Sequence, residues 1–149
     1  MNALGTTLKF ATVGLVLEVL ILAGVAALFG ELNGYWELVK TFHISFLSSL
    51  VGLYSSASVV GLIAEHKIDG LSRGVYSILV FAVSSTLICL FVQSFAGASV
   101  EFFKNSQTSF AAYDYLFRPV FGVMLFGTIP AVLVGLGYAA GLRKLARIR

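Results

Sequence analysis

Glu18 is the residue whose type and position most clearly indicate chemistry, because it is an acid inside an apolar run from Phe10 to Gly30. An acidic side chain at the centre of a membrane helix costs about 2.5 kcal/mol or more to insert. No Lys or Arg lies at a comparable depth in the other apolar runs. We therefore expect the carboxyl group to be protonated, hydrated in a cavity or paired with another subunit. It is either a site for an ion, a proton or a cationic substrate, or a neutral acid that bonds across helices.

Small hydroxyl side chains fall at the depth of Glu18 when the other apolar runs are aligned with the first as antiparallel helices. A polar layer beside a broken helix is typical of substrate sites in transporters, and Pro130 interrupts the last run. Ser and Thr in membrane helices also bond to their own backbone, which is the structural alternative. The predicted ion or substrate site comprises Glu18, Ser55, Ser56, Ser84, Ser85 and Thr86.

Other residue types that carry catalysis or hold cofactors are too few or too far apart. His43 and His66 border opposite ends of one apolar run, about 34 Å apart along a helix, so they do not share a metal or a haem. Cys89 is the only cysteine and forms no redox pair. The sequence has no phosphate loop, HExxH zinc motif or GxSxG elbow. We expect no enzyme activity, no catalytic residues, no metal and no cofactor.

The elements that must position Glu18 follow from the composition. Of the 149 residues, 58% are hydrophobic and only 11% are charged, whereas soluble domains carry about 25% charged residues. Apolar runs at about 10–30, 44–64, 75–97 and 120–142 each reach the roughly 20 residues that a helix needs to cross a bilayer. The first run is too long for a cleaved signal. The sequence predicts an all-α, polytopic integral membrane four-helix bundle, one transmembrane domain over 1–149.

Basic residues are distributed unequally between the two membrane faces. Four helices place both termini on one face, and that face carries seven Lys or Arg residues against three on the other. The positive-inside rule then places the termini in the cytoplasm and the chain in the plasma (inner) membrane. The C-terminal basic cluster is either a topology anchor that meets anionic lipid or a docking tail for a partner. The net charge of +3 does not indicate nucleic-acid binding, because the basic residues do not form a groove. The cluster is Arg143, Lys144, Arg147 and Arg149.

A long connection, about 98–119, joins the last two runs on the outer face. Its Phe103, Phe110 and Phe117 recur every seven residues and would share one face of a helix that lies on the membrane surface. Such a segment is either a lid or docking surface, or an interfacial segment that rests its aromatic rings on lipid. Two shorter helical pieces are an equally good solution, because the NSQTS stretch forms helix poorly.

Small residues at four-residue intervals predict where helices approach closely. This spacing lets membrane helices associate without a hydrophobic driving force. It does not distinguish contacts within one chain from contacts between chains. The predicted packing residues are Gly127, Ala131, Gly135 and Ala139 in the last run and Gly52 in the second.

Two functions fit these observations. The first is a homo-oligomeric channel or transporter with Glu18 as its intramembrane acidic site. Four helices with an acidic residue in the first resemble small multidrug resistance transporters; this chain is longer, its outer loop is much larger, and no further motif matches. The second is a non-catalytic accessory or assembly subunit of a larger membrane complex, in which Glu18 meets a partner helix. The expected partners are the lipid bilayer and either a second copy or another membrane subunit.

The orientation can be tested by labelling. A cysteine placed at Ser106 in a Cys89→Ser background is expected to react with an impermeant maleimide added outside whole cells, because 98–119 lies on the outer face. Labelling that requires lysis would reverse the orientation.

Overall fold

A computed structural model describes residues 2–71, 74–105 and 112–148 of the chain. These residues form helices and no strand. Four of the helices are long and apolar enough to cross a membrane, so the prediction of an all-helical chain with four candidate membrane spans is confirmed. The elements are α1 (Ala3–Leu28), α2 (Leu32–Thr41), α3 (His43–Leu71), α4 (Val75–Lys104) and α5 (Arg118–Ile148), the last preceded by a π-helical turn, Tyr113–Phe117.

The first helix begins seven residues before the apolar run that revealed it, because polar side chains cap its N-terminus. The Asn2 side chain accepts a hydrogen bond from the Gly5 backbone N–H at 2.9 Å. The Glu65 carboxylate of α3 accepts one from the Ala3 N–H at 2.6 Å. Both hydrogen bonds satisfy backbone N–H groups that have no partner within the helix at its N-terminus. The negative carboxylate also interacts favourably with the positive end of the helix dipole.

The same helix ends at a glycine that adopts a left-handed backbone conformation. Gly30 has a φ of +72°, and its N–H bonds the Ala27 carbonyl at 3.1 Å while the Glu31 N–H bonds the Ala26 carbonyl at 2.8 Å. This hydrogen-bond pair is the Schellman motif, which needs a residue without a Cβ at the left-handed position. The chain then turns into α2, a short helix that leads to α3.

The four long helices alternate in direction and form a closed ring in which α3 and α4, α4 and α5, α1 and α3, and α1 and α5 are neighbours. We call the end of the bundle that holds Ala3, Glu65, Val75 and Leu145 the basal end, and the end that holds Leu28, Ser45 and Glu101 the apical end. Helix α1 has buried residues only in its basal turns, at Ala3, Thr6 and Thr7. Its apical half carries side chains that face outward, such as Leu28 at 86% exposure.

Close helix contacts occur where the sequence places small residues. A Cβ built on Gly52 of α3 would lie 2.8 Å from the Ala96 Cβ of α4, and one built on Gly135 of α5 would lie 2.9 Å from the Val83 Cα of α4. A Cβ built on Gly127 would lie 3.0 Å from the Leu90 side chain of α4, and Ala131 and Ala139 are buried. These contacts lie within one chain.

The connection between the last two spans is shorter than the apolar runs indicated. Helix α4 continues to Lys104, where Glu101 pairs with Lys104 at 3.0 Å and accepts a hydrogen bond from Ser45 of α3. Phe103 therefore belongs to the last turn of α4 and Phe117 to the turn before α5, so these two rings do not share one surface helix. Phe110 lies outside the described residues.

The contact at Gly135 predicts a position-specific effect of bulk. Gly135→Leu forces α5 away from the α4 backbone and is expected to lower the free energy of unfolding by about 3 kcal/mol or more, or to prevent assembly. Gly122→Leu on the same helix is the matched control, because a Cβ there meets no atom within 4 Å. The measurement is thermal unfolding and particle size in detergent; equal behaviour of the two variants would contradict the contact.

Candidate functional site

The Glu18 carboxyl group has a partner in α4. The Gln93 side-chain Nε2 donates a hydrogen bond to Glu18 Oε2 at 2.8 Å, and Gln93 itself is only 8% exposed. Within the described ranges, no fully buried side-chain oxygen or nitrogen lacks a partner. Glu18 Oε1 has no hydrogen bond to the described residues and is not fully buried, and Glu18 is one of the residues that line a cavity.

That cavity has a volume of about 250 Å³ and lies among α1, α3, α4 and α5. Its wall is mostly apolar, and no Lys, Arg or His lines it. The chemistry of the cavity is therefore that of a hydrogen-bond acceptor in an apolar enclosure, which favours a cation or a donor group. The polar lining consists of Thr7, Glu18, Ser85, Thr86, Cys89, Gln93 and Tyr138.

The cavity is closed toward the basal end by contacts between α1 and α5. The Thr7 and Tyr138 hydroxyl groups are hydrogen-bonded at 2.6 Å, and Tyr138 is 1% exposed. The Phe10 ring packs over Gly137 and Gly141, with its centroid 5.8 Å from that of Tyr138. The two glycines make this seal possible, because a Cβ at either would come within 3.0 Å of the ring.

Toward the apical end the same two helices leave the cavity accessible from the side. A Cβ built on Gly24 of α1 or on Gly122 of α5 would meet no atom within 4 Å. Leu22 and Phe126 line the cavity, yet they are 50% and 78% exposed. In a membrane, this opening between α1 and α5 faces lipid.

Of the predicted Ser and Thr layer, Ser85 and Thr86 line the cavity with Glu18, whereas the other three residues do not. Ser56 donates to the Gly52 and Leu53 carbonyls, and Ser84 to the Val80 carbonyl. Ser55 is exposed on the outside of α3. Thr86, although it lines the cavity, donates to the Val83 carbonyl of its own helix, so the structural alternative applies to Ser56, Ser84 and Thr86.

The residues predicted from the sequence do not include Gln93, the hydrogen-bond partner of Glu18. The reason is that the prediction misplaces Glu18 along the membrane normal. The depth of Glu18 was counted from Phe10, but α1 begins at Ala3. Counted from the helix starts, Glu18 lies about 22 Å along α1 and Gln93 about 27 Å along α4, so the two are close in level. The available signal was that Gln93 is the only Asn or Gln in the four apolar runs.

No family model, curated protein or solved structure matches this chain. The resemblance to small multidrug resistance transporters thus rests on the helix count and Glu18 alone. Among the described residues, no group of three or more His, Cys, Asp or Glu side chains could hold a metal ion. Function must be argued from the cavity itself.

The Glu18–Gln93 hydrogen bond can be measured with a double-mutant cycle. Glu18→Leu and Gln93→Leu are each expected to cost about 1–3 kcal/mol, because each leaves a polar partner unsatisfied. The double variant is expected to cost less than the sum, with a coupling energy of about 0.5–2 kcal/mol. The measurement is reversible unfolding in mixed micelles.

A matched cycle pairs Gln93→Leu with Ser84→Ala. Ser84 bonds within its own helix and lies about 13 Å from Gln93 along α4, so these two changes are expected to be additive. Additivity of the Glu18 and Gln93 variants would show that the hydrogen bond contributes nothing to stability.

Proposed function

We propose that this chain is a homo-oligomeric membrane transport protein whose ion or substrate site is the cavity at Glu18. One observation carries the proposal: a carboxyl group inside a membrane-spanning helix has one oxygen held by Gln93, and its residue lines a largely apolar cavity. Intramembrane acids that face a cavity mark ion and substrate pathways. A purely structural acid would be expected to have both oxygens occupied by protein donors.

The cavity chemistry favours a cationic species. With no basic residue in its lining, an ionised Glu18 would lack a counter-charge, and a proton, a metal cation or an organic cation would supply it. The low dielectric of the surroundings strengthens this attraction over that in water. The apolar wall, with the rings of Phe10, Phe126 and Tyr138, would accommodate the hydrocarbon part of an organic cation.

A carrier fits this geometry better than an open pore. The Thr7–Tyr138 hydrogen bond and the Phe10 ring close the basal end, while the side toward α1 and α5 is accessible. A closed basal end with a lateral opening corresponds to one state of an alternating-access carrier that admits its substrate from the lipid. We further propose that the basal end faces the cytoplasm of a plasma (inner) membrane, on the seven-to-three distribution of basic residues.

The test compares flux in proteoliposomes of matched density. Glu18→Gln keeps the shape and can still bond Gln93, but it cannot ionise, so pH-dependent flux of a cationic substrate or proton is expected to be lost. The swapped variant Glu18→Gln/Gln93→Glu returns a carboxyl group to the same hydrogen-bonded pair from α4. This variant is expected to recover flux.

The controls separate the site from the fold. Ser84→Ala removes a hydroxyl that bonds its own helix and is expected to transport as the wild type does. If flux is equal and independent of pH in wild type and Glu18→Gln, or is absent from both under every gradient, the transport proposal fails.

One feature favours an accessory subunit as the alternative. The apical half of α1 has no fully buried side chain, and Gly24 there has open space beside it. A helix of another membrane protein could lie against this face and reach Glu18. Co-purification of a stoichiometric partner from the native membrane, together with absence of flux, would select this function.

A further inference from the structure

A second groove lies outside the bundle at the basal end, along the seam between α4 and α5. It has a volume of about 430 Å³ and is separate from the Glu18 cavity, with which it shares no lining residue. The described residues that line it combine apolar side chains with three cationic ones, and none of them is acidic. The lining includes Val75, Leu79, Leu136, Arg143, Lys144 and Arg147.

No ion pair among the described residues involves Arg143, Lys144 or Arg147. The ion pair that the described residues form, Lys104–Glu101, lies at the apical end. Arg143 and Arg147 are one helical turn apart, about 6 Å along α5, so both can reach one anionic group. The first backbone N–H groups of α4 add positive potential at the same end, because its N-cap residue Gly74 provides no side-chain acceptor.

The groove is also polarised along the membrane normal. Its cationic residues occupy the last turns of α5, while Leu136 lies about 10 Å deeper from Arg143, and Leu79 of α4 also lines the groove. A ligand that fits this order is an amphiphile with its anionic group at the membrane surface and its hydrocarbon chains directed toward the centre. Free phosphate would use only the cationic part.

We propose that this groove binds one anionic phospholipid of the adjacent leaflet. The two Arg side chains and Lys144 hold the phosphate through charge-assisted hydrogen bonds, and the acyl chains lie along the apolar residues of α4 and α5. This site is independent of transport at Glu18, because the two share no residue.

Native mass spectrometry of the detergent-purified protein with added phosphatidylglycerol or phosphatidylcholine tests the proposal. The wild type is expected to retain one phosphatidylglycerol per chain in preference to phosphatidylcholine. Arg143→Gln/Arg147→Gln is expected to bind phosphatidylglycerol about tenfold to thirtyfold more weakly, and Arg143→Lys/Arg147→Lys is expected to keep most of the binding.

The matched control is Lys9→Gln/Lys67→Gln, which removes the same charge from basal residues that do not line the groove and is expected to leave binding unchanged. Three results would overturn the proposal. The first is an equal loss in this control, which indicates general electrostatics; the second is equal retention of phosphatidylcholine. The third is displacement of the lipid by millimolar inorganic phosphate, which indicates a simple anion site.

Discussion

A carboxyl group among membrane-spanning helices needs a polar partner. The hydrogen bond that Gln93 donates to Glu18 satisfies one of the two carboxyl oxygens. Lipid offers no hydrogen bonds, so the position of Glu18 constrains how α1 sits on the bundle. The Gln93 amide of α4 binds one oxygen of Glu18, and both residues line the cavity. If an apolar residue replaced Glu18, no polar group at this position would require that space.

Two kinds of packing coexist in the bundle, and the difference between them explains where the cavity is. Helices α3, α4 and α5 approach through glycines, with backbone atoms close to Gly52 and Gly135. Helix α1 is attached at its basal turns and through Phe10, and its apical half is exposed. The accessible space thus lies beside the least tightly held helix, where a change in tilt would disturb the fewest contacts.

The sequence predicted the helical class and the four spans because these depend on composition and run length, which a bilayer constrains strongly. Glycine spacing also pointed to Gly52 and Gly135, where α3 and α5 meet α4. The depth of the polar layer along the helices was harder to predict. The hydropathy pattern places the start of α1 at Phe10, whereas hydrogen bonds to Asn2 and Glu65 extend the helix to Ala3. The directions in which the side chains of Ser55, Ser56 and Ser84 point depend on how each helix is rotated about its axis. The sequence of one apolar run does not determine that rotation. The bond between Glu18 and Gln93 joins residues 75 positions apart, and only the assembled bundle reveals it.

The hydroxyl contact between Thr7 and Tyr138 spans 131 positions of the chain, which has a consequence for biogenesis. Because α1 precedes α3 in the chain, its N-terminus can bond Glu65 only after α3 has been synthesised. Its Thr7 and Phe10 then remain without their final neighbours until α5 arrives. An acidic helix is thus held in the bilayer, with Glu18 still apart from Gln93 of α4, for much of translation. The cavity, which residues of all four long helices line, is complete only when α5 has joined the bundle.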